Sequence, residues 1–269
     1  MTARTFAIAA WLTMFARLAG AQGAAPARED PQANPARPTV STPATLTPVG
    51  YLQLENGVLA GFTSGEFRSL VNVNQVTKLA VHHRVQLIAQ FVPMAWARTT
   101  ADSAMTGYTG GISAGAQLLV APGDGARPSV AVSFLQTTFS GSAPDFDVGS
   151  AQQSLLALVS CDLGDFHVDT NAIFNDQVDS TRRLQYGQTL SISHPLGRAT
   201  IVGELWHFTQ PSVSGNAVGT LWAVSYAHSK HLVYDAGVDA GVTSTSTHWE
   251  VFGGFTYLIP HRLWGSKEH

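Results

Sequence analysis

From Tyr51 onward the chain alternates apolar and polar residues in runs broken by turn residues, and no sustained 3.6-residue period interrupts the alternation. Between Asp165 and Asn175, Phe166, Val168, Thr170, Ala172 and Phe174 share one face, while Asp165, His167, Asp169, Asn171, Ile173 and Asn175 share the other. His231 to Val242 repeats the design, with Leu232, Tyr234, Ala236, Val238 and Ala240 set against Val233, Asp235, Gly237, Asp239 and Gly241. The last run sets Trp249, Val251, Gly253, Phe255, Tyr257 and Ile259 against His248, Glu250, Phe252, Gly254, Thr256 and Leu258. The same period predicts twelve strands, over 51–62, 66–80, 84–97, 111–120, 128–139, 151–162, 165–176, 183–194, 198–209, 217–228, 231–243 and 247–259.

The connections between these strands alternate in length. His82-His83, Leu163-Gly164, Pro195-Leu196-Gly197 and Ser229-Lys230 are brief, and Ala121 to Arg127 is a Gly/Pro turn at the same end. Arg98 to Gly110, Ser140 to Ser150, Gln177 to Arg182 and Gln210 to Asn216 are longer and fall at the opposite end; Thr63 to Gly65 and Ser244 to Ser246 are the short exceptions there. Tight turns on one side and larger loops on the other are the asymmetry of a transmembrane β-barrel with an even strand count, with both termini on the tight-turn side. Strands of about 9–12 residues, tilted near 45°, cover the roughly 25 Å apolar band of an outer membrane. Aromatic residues near strand ends (Phe62, Phe67, Trp96, Phe139, Phe174, Trp206, Phe208, Tyr226, Trp249) suit girdles at the two interfaces.

Composition agrees. Only 12% of the 269 residues are charged, about half the roughly 25% of a soluble domain. A barrel wall needs little charge, whereas a soluble β-sandwich should carry it along its outer faces. The formal net charge of −3 excludes nucleic acid as a partner, since there is no basic excess to neutralise phosphates. Cys161 is the single cysteine, so an intrachain disulfide framework and a multi-cysteine metal site are excluded.

The start of the chain reads as an address. Met1 to Arg4 is positive, Phe6 to Ala16 is an apolar run too short to span a bilayer, and Ala19-Gly20-Ala21 fits a cleavage site after Ala21. Residues 22–48 hold six of the thirteen prolines and few large apolar groups. They are expected to form a disordered or polyproline-like periplasmic linker. The barrel is expected over 49–259, followed by a short tail over 260–269.

Short glycine-rich motifs carry a family resemblance. Val49-Gly50-Tyr51-Leu52-Gln53-Leu54-Glu55-Asn56-Gly57, the strand Gly110 to Gln117, Gly203-Glu204-Leu205 and the stretch Tyr234 to Val242 resemble the outer-membrane transporter family named after the meta-pathway of phenol degradation. The resemblance spans about residues 49–259. It implies an outer-membrane β-barrel associated with uptake of small, often aromatic compounds, and it implies no catalytic residue. Such barrels close on a glycine followed by alternating hydrophobics, a pattern met by Gly254, Tyr257 and Ile259, although a tail follows here.

Candidate functional residues lie on the polar face: Glu55, Arg68, Asn72, Asn74, Lys78, Gln86, Gln90, Gln117, Asp165, His167, Asp169, Asn171, Glu204, Asp235, Asp239, His248 and Glu250. Arg68 and Lys78 sit on the second strand, which a closed ring brings near the last, so Glu250 or Glu204 is expected to pair with them across the lumen. Such charges either line and constrict a pore or fill a small barrel as a mutually satisfied polar plug. His82-His83 and Asp165/His167/Asp169 have metal-ligand chemistry without a converging spacing, and the abundant Ser and His fix no nucleophile beside an oriented base. No cofactor and no enzymatic activity are expected.

The reading is therefore an all-β, closed antiparallel transmembrane barrel of about twelve strands, with ten or fourteen as the nearest alternatives. It would be exported to the outer membrane of a Gram-negative bacterium with the help of barrel-assembly machinery, and would pass small solutes, hydrophobic or aromatic ones among them. Outer-membrane lipids and small solutes are the expected partners. A non-conducting structural barrel or adhesin and a soluble, secreted, ligand-binding β-sandwich are the competing classes.

Overall fold

The computed structural model describes residues 31–264 apart from 103, 145–150, 179–181 and 212. The expected signal peptide, residues 22–30 of the linker and residues 265–269 of the tail lie outside the described residues.

Twelve long strands form the wall: β1 (Leu52–Phe62), β2 (Phe67–His82), β3 (Val85–Thr99), β5 (Ile112–Ala121), β6 (Ser129–Phe139), β7 (Ala151–Leu163), β8 (Phe166–Val178), β9 (Arg182–Leu196), β10 (Ala199–Thr209), β11 (Asn216–Ala227), β12 (Leu232–Gly241) and β13 (Trp249–Leu258). A short strand, β4 (Thr106–Tyr108), adds to the end of β3 through Ala95–Ala97, a feature the sequence reading leaves inside a loop. Every long strand pairs antiparallel with its neighbours in chain order, and β1 pairs with β13 from Gln53↔Leu258 to Phe62↔Trp249. The sheet is therefore a closed ring. Closure removes the edges that would leave backbone donors unpaired in hydrocarbon, and it excludes the sandwich.

The alternation along each strand becomes an inside and an outside. Outward residues are large, apolar and exposed: Trp222 is 63% exposed and Leu205 60%. Inward residues are mostly polar and buried, and buried polar side chains outnumber buried apolar ones among the described residues. This inverts the arrangement of a soluble domain. The short turns are built from glycine where the backbone demands it. Gly164 and Gly197 both hold φ +65 as the first residue of a two-residue hairpin loop, the position that glycine favours in type II′ turns.

Apolar bulk inside the ring is confined to patches. Ile173, Trp206, Phe208 and Ala217 form one on β8, β10 and β11. The two rings are accommodated by glycines directly opposite on neighbouring strands. Phe208 pairs with Gly187 and Trp206 with Gly219, and a Cβ on either glycine would lie 2.2 Å from the aromatic ring. At the C-terminal end the described part of the tail turns back to the start of β1. Leu263 N–H donates to the Gly50 carbonyl at 2.7 Å and Arg262 Nε to the Val49 carbonyl at 3.1 Å.

Candidate functional site: a lumen lined by its own N-terminal segment

Residues 31–50 are not a free tether. They run inside the barrel and make almost one circuit of its inner wall, bonding in turn to β1, β12, β10, β9, β8, β7, β5 and β3 before Gly50 N–H meets the Ala80 carbonyl of β2. This corrects the expectation of a disordered linker over the described part of 22–48. The physical reason lies in the prolines themselves. Pro35, Pro38, Pro43 and Pro48 favour an extended backbone without internal hydrogen bonds, so the intervening N–H groups are left for other partners. Buried in a lumen, they must find acceptors.

Seven do so on wall side chains. Asn34 N–H donates to Gln53 Oε1 (2.8 Å), Ala36 to Glu55 Oε1 (3.2 Å), Val40 to Glu204 Oε2 (2.8 Å) and Ser41 to Glu204 Oε1 (2.7 Å). Thr42 donates to Asn171 Oδ1 (2.6 Å), Ala44 to Ser160 Oγ (2.8 Å) and Thr47 to Gln86 Oε1 (2.8 Å). The wall also donates inward: Gln117 Nε2 bonds the Pro43 and Ala44 carbonyls and Asn171 Nδ2 the Thr42 carbonyl. All these wall residues sit between the short turns and the strand midpoints, with Glu204 at the midpoint of β10, so the segment forms a ring in that part of the lumen.

Two ion pairs fix the same level. Arg37 lays Nη2 and Nε on Asp235 Oδ1 and Oδ2 at 3.0 and 3.2 Å, the bidentate geometry that gives arginine its specificity. Its guanidinium occupies a notch left by Gly57 and Gly254, where an added Cβ would come within 2.3 Å of Arg37 Cζ and 2.9 Å of its Nε. Lys78 Nζ meets Glu55 Oε1 at 2.5 Å, with both side chains at least nine-tenths buried. Glu55 also accepts Gln53 Nε2 at 2.8 Å.

Glu55, Asn72, Lys78, Gln86, Gln90, Asp169, Glu204, Asp235, Asp239 and Glu250 lie on the inner face, along with Asn74, Gln117 and Asn171. Three other candidates stand apart. Arg68 is exposed where β2 begins at the long-loop end, Asp165 is exposed in the β7–β8 turn, and His248 is exposed just before β13, its N–H bonded to the Thr63 carbonyl. The strand ends carry Asp165 and His248 beyond the enclosed part of the lumen, whereas at Arg68 a register shift between Phe67 and Ser69 turns the fully buried Phe67 inward in its place. The expected pairing across the lumen is likewise replaced. Lys78 takes Glu55 on the adjacent strand, and Glu204 is capped by Val40 and Ser41. Asp239 accepts Trp206 Nε1 at 2.7 Å and is the direct cross-strand partner of Glu250.

His167 bridges carboxylates at the β7–β8 end, with Nδ1 2.6 Å from Asp162 and Nε2 3.3 Å from Asp169. Asp169 in turn accepts Ser160 Oγ, the hydroxyl that receives Ala44 N–H. The chain from His167 thus ends on the inner segment rather than on a metal-ligand cluster. His82 and His83 stack with ring centroids 3.8 Å apart at the short-turn rim. Desolvation, then His82 and Arg84, hold the His83 imidazole below its ordinary pKa.

Past the segment, toward the long loops, the lumen opens into a cavity of about 510 Å³ lined by Arg37, Thr39, Asn72, Asn74, Gln90 and Thr137, with Phe91 and Leu135 as apolar wall. A smaller cavity of about 170 Å³ adjoins Asp239, Glu250 and Phe252, and Arg37, Thr39 and Val40 border both. The residues the sequence reading missed are those of the segment, Arg37 and Ser41 above all. The available signal was the clustering of inward Gln, Asn, Ser and Glu near one end of the strands, far more hydrogen-bonding capacity than a water-filled tube needs.

No protein-family model and no curated protein matches the sequence. Among solved structures, an outer membrane channel of the COG4313 group from Pseudomonas putida F1 superposes with a TM-score of 0.60 at 14% identity, over 80% of this chain and 98% of that one. This is an outer-membrane barrel fold. A porin (TM-score 0.38, 10% identity, 78% and 99% covered) and a bacterial polysaccharide outer membrane secretin (TM-score 0.44, 9% identity, 78% and 98% covered) are too loosely similar to carry an argument. The barrel part of the family resemblance is thus shown; the meta-pathway transporter family is not matched.

Proposed function

We propose that this protein is an outer-membrane channel for passive passage of small solutes, and that its inner segment sets the width of the path. The observation that carries the reading is the cavity of about 510 Å³ on the long-loop side of the segment, inside a closed ring whose outer face is apolar. Its lining combines carboxamides and hydroxyls with Phe91 and Leu135. That mixture suits solutes with an apolar or aromatic face and a few polar groups, in keeping with the resemblance to the phenol meta-pathway transporters. Export by a cleaved leader and insertion by barrel-assembly machinery belong to the same proposal.

The test is reconstitution of the purified protein in planar bilayers and in vesicles. Discrete conductance steps and swelling in small aromatic alcohols or acids are expected. A specific observation favours a second reading: seven bonded backbone donors on the segment, together with two ion pairs, make a tight internal ring. A barrel sealed by that ring would be structural, and would show neither steps nor flux for any solute.

A further inference from the structure

The outer wall across β9–β13 carries an apolar concavity of about 1070 Å³. Cross-strand register explains its shape. One outward row runs His194, Ile201, Val224, Ala236, Gly253, and the next toward the long loops runs Ile192, Gly203, Trp222, Val238, Val251. Glycine and alanine leave a depression in the wall where neighbouring rows carry large side chains. The row nearest the short turns, Leu196, Ala199, Tyr226, Tyr234, Phe255, closes that end with aromatic rings.

Immediately beyond these rings sits a fixed cation. Arg198, in the Gly197–Arg198 turn, holds its guanidinium 5.3 Å from the centroid of Tyr226 and donates Nε–H to the Ala227 carbonyl at 2.8 Å and Nη2–H to the His228 carbonyl. Among the described residues two of its five donors are so used, leaving three for an anion. His228 stacks edge-on against Tyr234 in the adjacent turn. The stretches 196–199 and 227–232 contain Arg198, His228 and His231, besides Lys230, which already has a partner, and no carboxylate. Asp165, the nearest acidic turn residue along the rim, offers its backbone carbonyl to His194 Nδ1 at 3.1 Å.

We infer that this face is a binding site for one phospholipid with an anionic headgroup, its phosphate at Arg198 beside Tyr226 and its acyl chains in the concavity that runs past Gly203 and Trp222. Charge complementarity selects the occupant. A groove that takes hydrocarbon ends at an arginine stacked on an interfacial tyrosine, in a rim segment of basic character. The inference goes beyond passage through the lumen and rests only on the outer wall facing lipid.

Native mass spectrometry of the full chain, released from detergent with equimolar palmitoyl-oleoyl phosphatidylglycerol and phosphatidylcholine, tests it. Retention of phosphatidylglycerol is expected to exceed that of phosphatidylcholine about fivefold. Arg198→Gln should bring the two to parity, Tyr226→Leu should lower the preference, and Arg84→Gln, at a distant place on the same rim, should leave it. Equal retention of both lipids by the unaltered protein overturns the headgroup site. Equal loss in Arg84→Gln and Arg198→Gln overturns it in favour of diffuse rim charge. Retention of neither lipid overturns the site together with the lipid-facing wall, an outcome distinct from any failure of solute conduction.

Discussion

Glu204→Ala is the substitution that most directly tests how the inner segment is held. Glu204 is buried on β10 and takes three donors from the segment: Val40 N–H at 2.8 Å, Ser41 N–H at 2.7 Å and Ser41 Oγ–H at 2.5 Å. A hydrogen bond to a charged group contributes about 1.5–3 kcal/mol, and a buried donor left without an acceptor costs about 1–3 kcal/mol. Three bonds would sum to roughly 5 kcal/mol or more on those figures. Water can enter a lumen and rehydrate the freed N–H groups, which reduces the loss to about 2–3 kcal/mol. That corresponds to a rise of about 30- to 160-fold in the population of the detached segment. The barrel wall is unaffected, because its ladder bonds do not involve the side chain.

Peptide-level hydrogen exchange should therefore accelerate by that factor over residues 38–43, while strand peptides keep their protection. Single-channel traces should show larger or longer openings than the unaltered protein. Unchanged exchange over 38–43, with the variant still migrating as a folded barrel on unheated gels, would refute the claim that Glu204 anchors the segment.

Other variants probe the remaining contacts. Gly57→Ala puts a methyl where the Arg37 guanidinium lies, 2.3 Å from Cζ, and should expel Arg37 from its notch; faster hydrogen exchange over residues 34–38 and altered conductance would report it, and an unchanged profile would contradict the notch. Lys78→Met leaves Glu55 buried without its cation and should cost about 3–5 kcal/mol in urea unfolding, with much of the loss recovered when Glu55→Gln is added; absence of recovery would show that the pair is not coupled. Leu205→Arg places a charge mid-strand on the outer wall, where Leu205 is 60% exposed. It should cost about 2–4 kcal/mol for folding into bilayers, and a neutral effect would argue that this face does not meet hydrocarbon.

The wall was legible because its rule is local. Phe166 through Asn175 alternate with Ile173 as the exception, and Gly164 and Gly197 mark their turns, so each long strand and its connections could be read from a dozen neighbouring residues. Strand ends were harder. Asp165 and His248 follow the inward parity yet lie at rims, since period two says which way a residue points and not how far along the strand enclosure extends; Arg68 follows it too, but a bulge beside it gives the inward place to Phe67. β4 escaped notice because three residues of strand carry no period.

Nothing in residues 31–48 indicated by itself that they would pack, since they lack the apolar bulk that makes a core. Their partners stand far away along the chain: 129 positions separate Thr42 from Asn171, 163 separate Ser41 from Glu204, and 198 separate Arg37 from Asp235. Alternation and turn length in the sequence alone determined the strands, their order and the sidedness of the sheet. Only ring closure decided the site. It brought the acceptors of separate strands onto one level of the lumen, where an extended proline-rich strip places seven N–H groups on them.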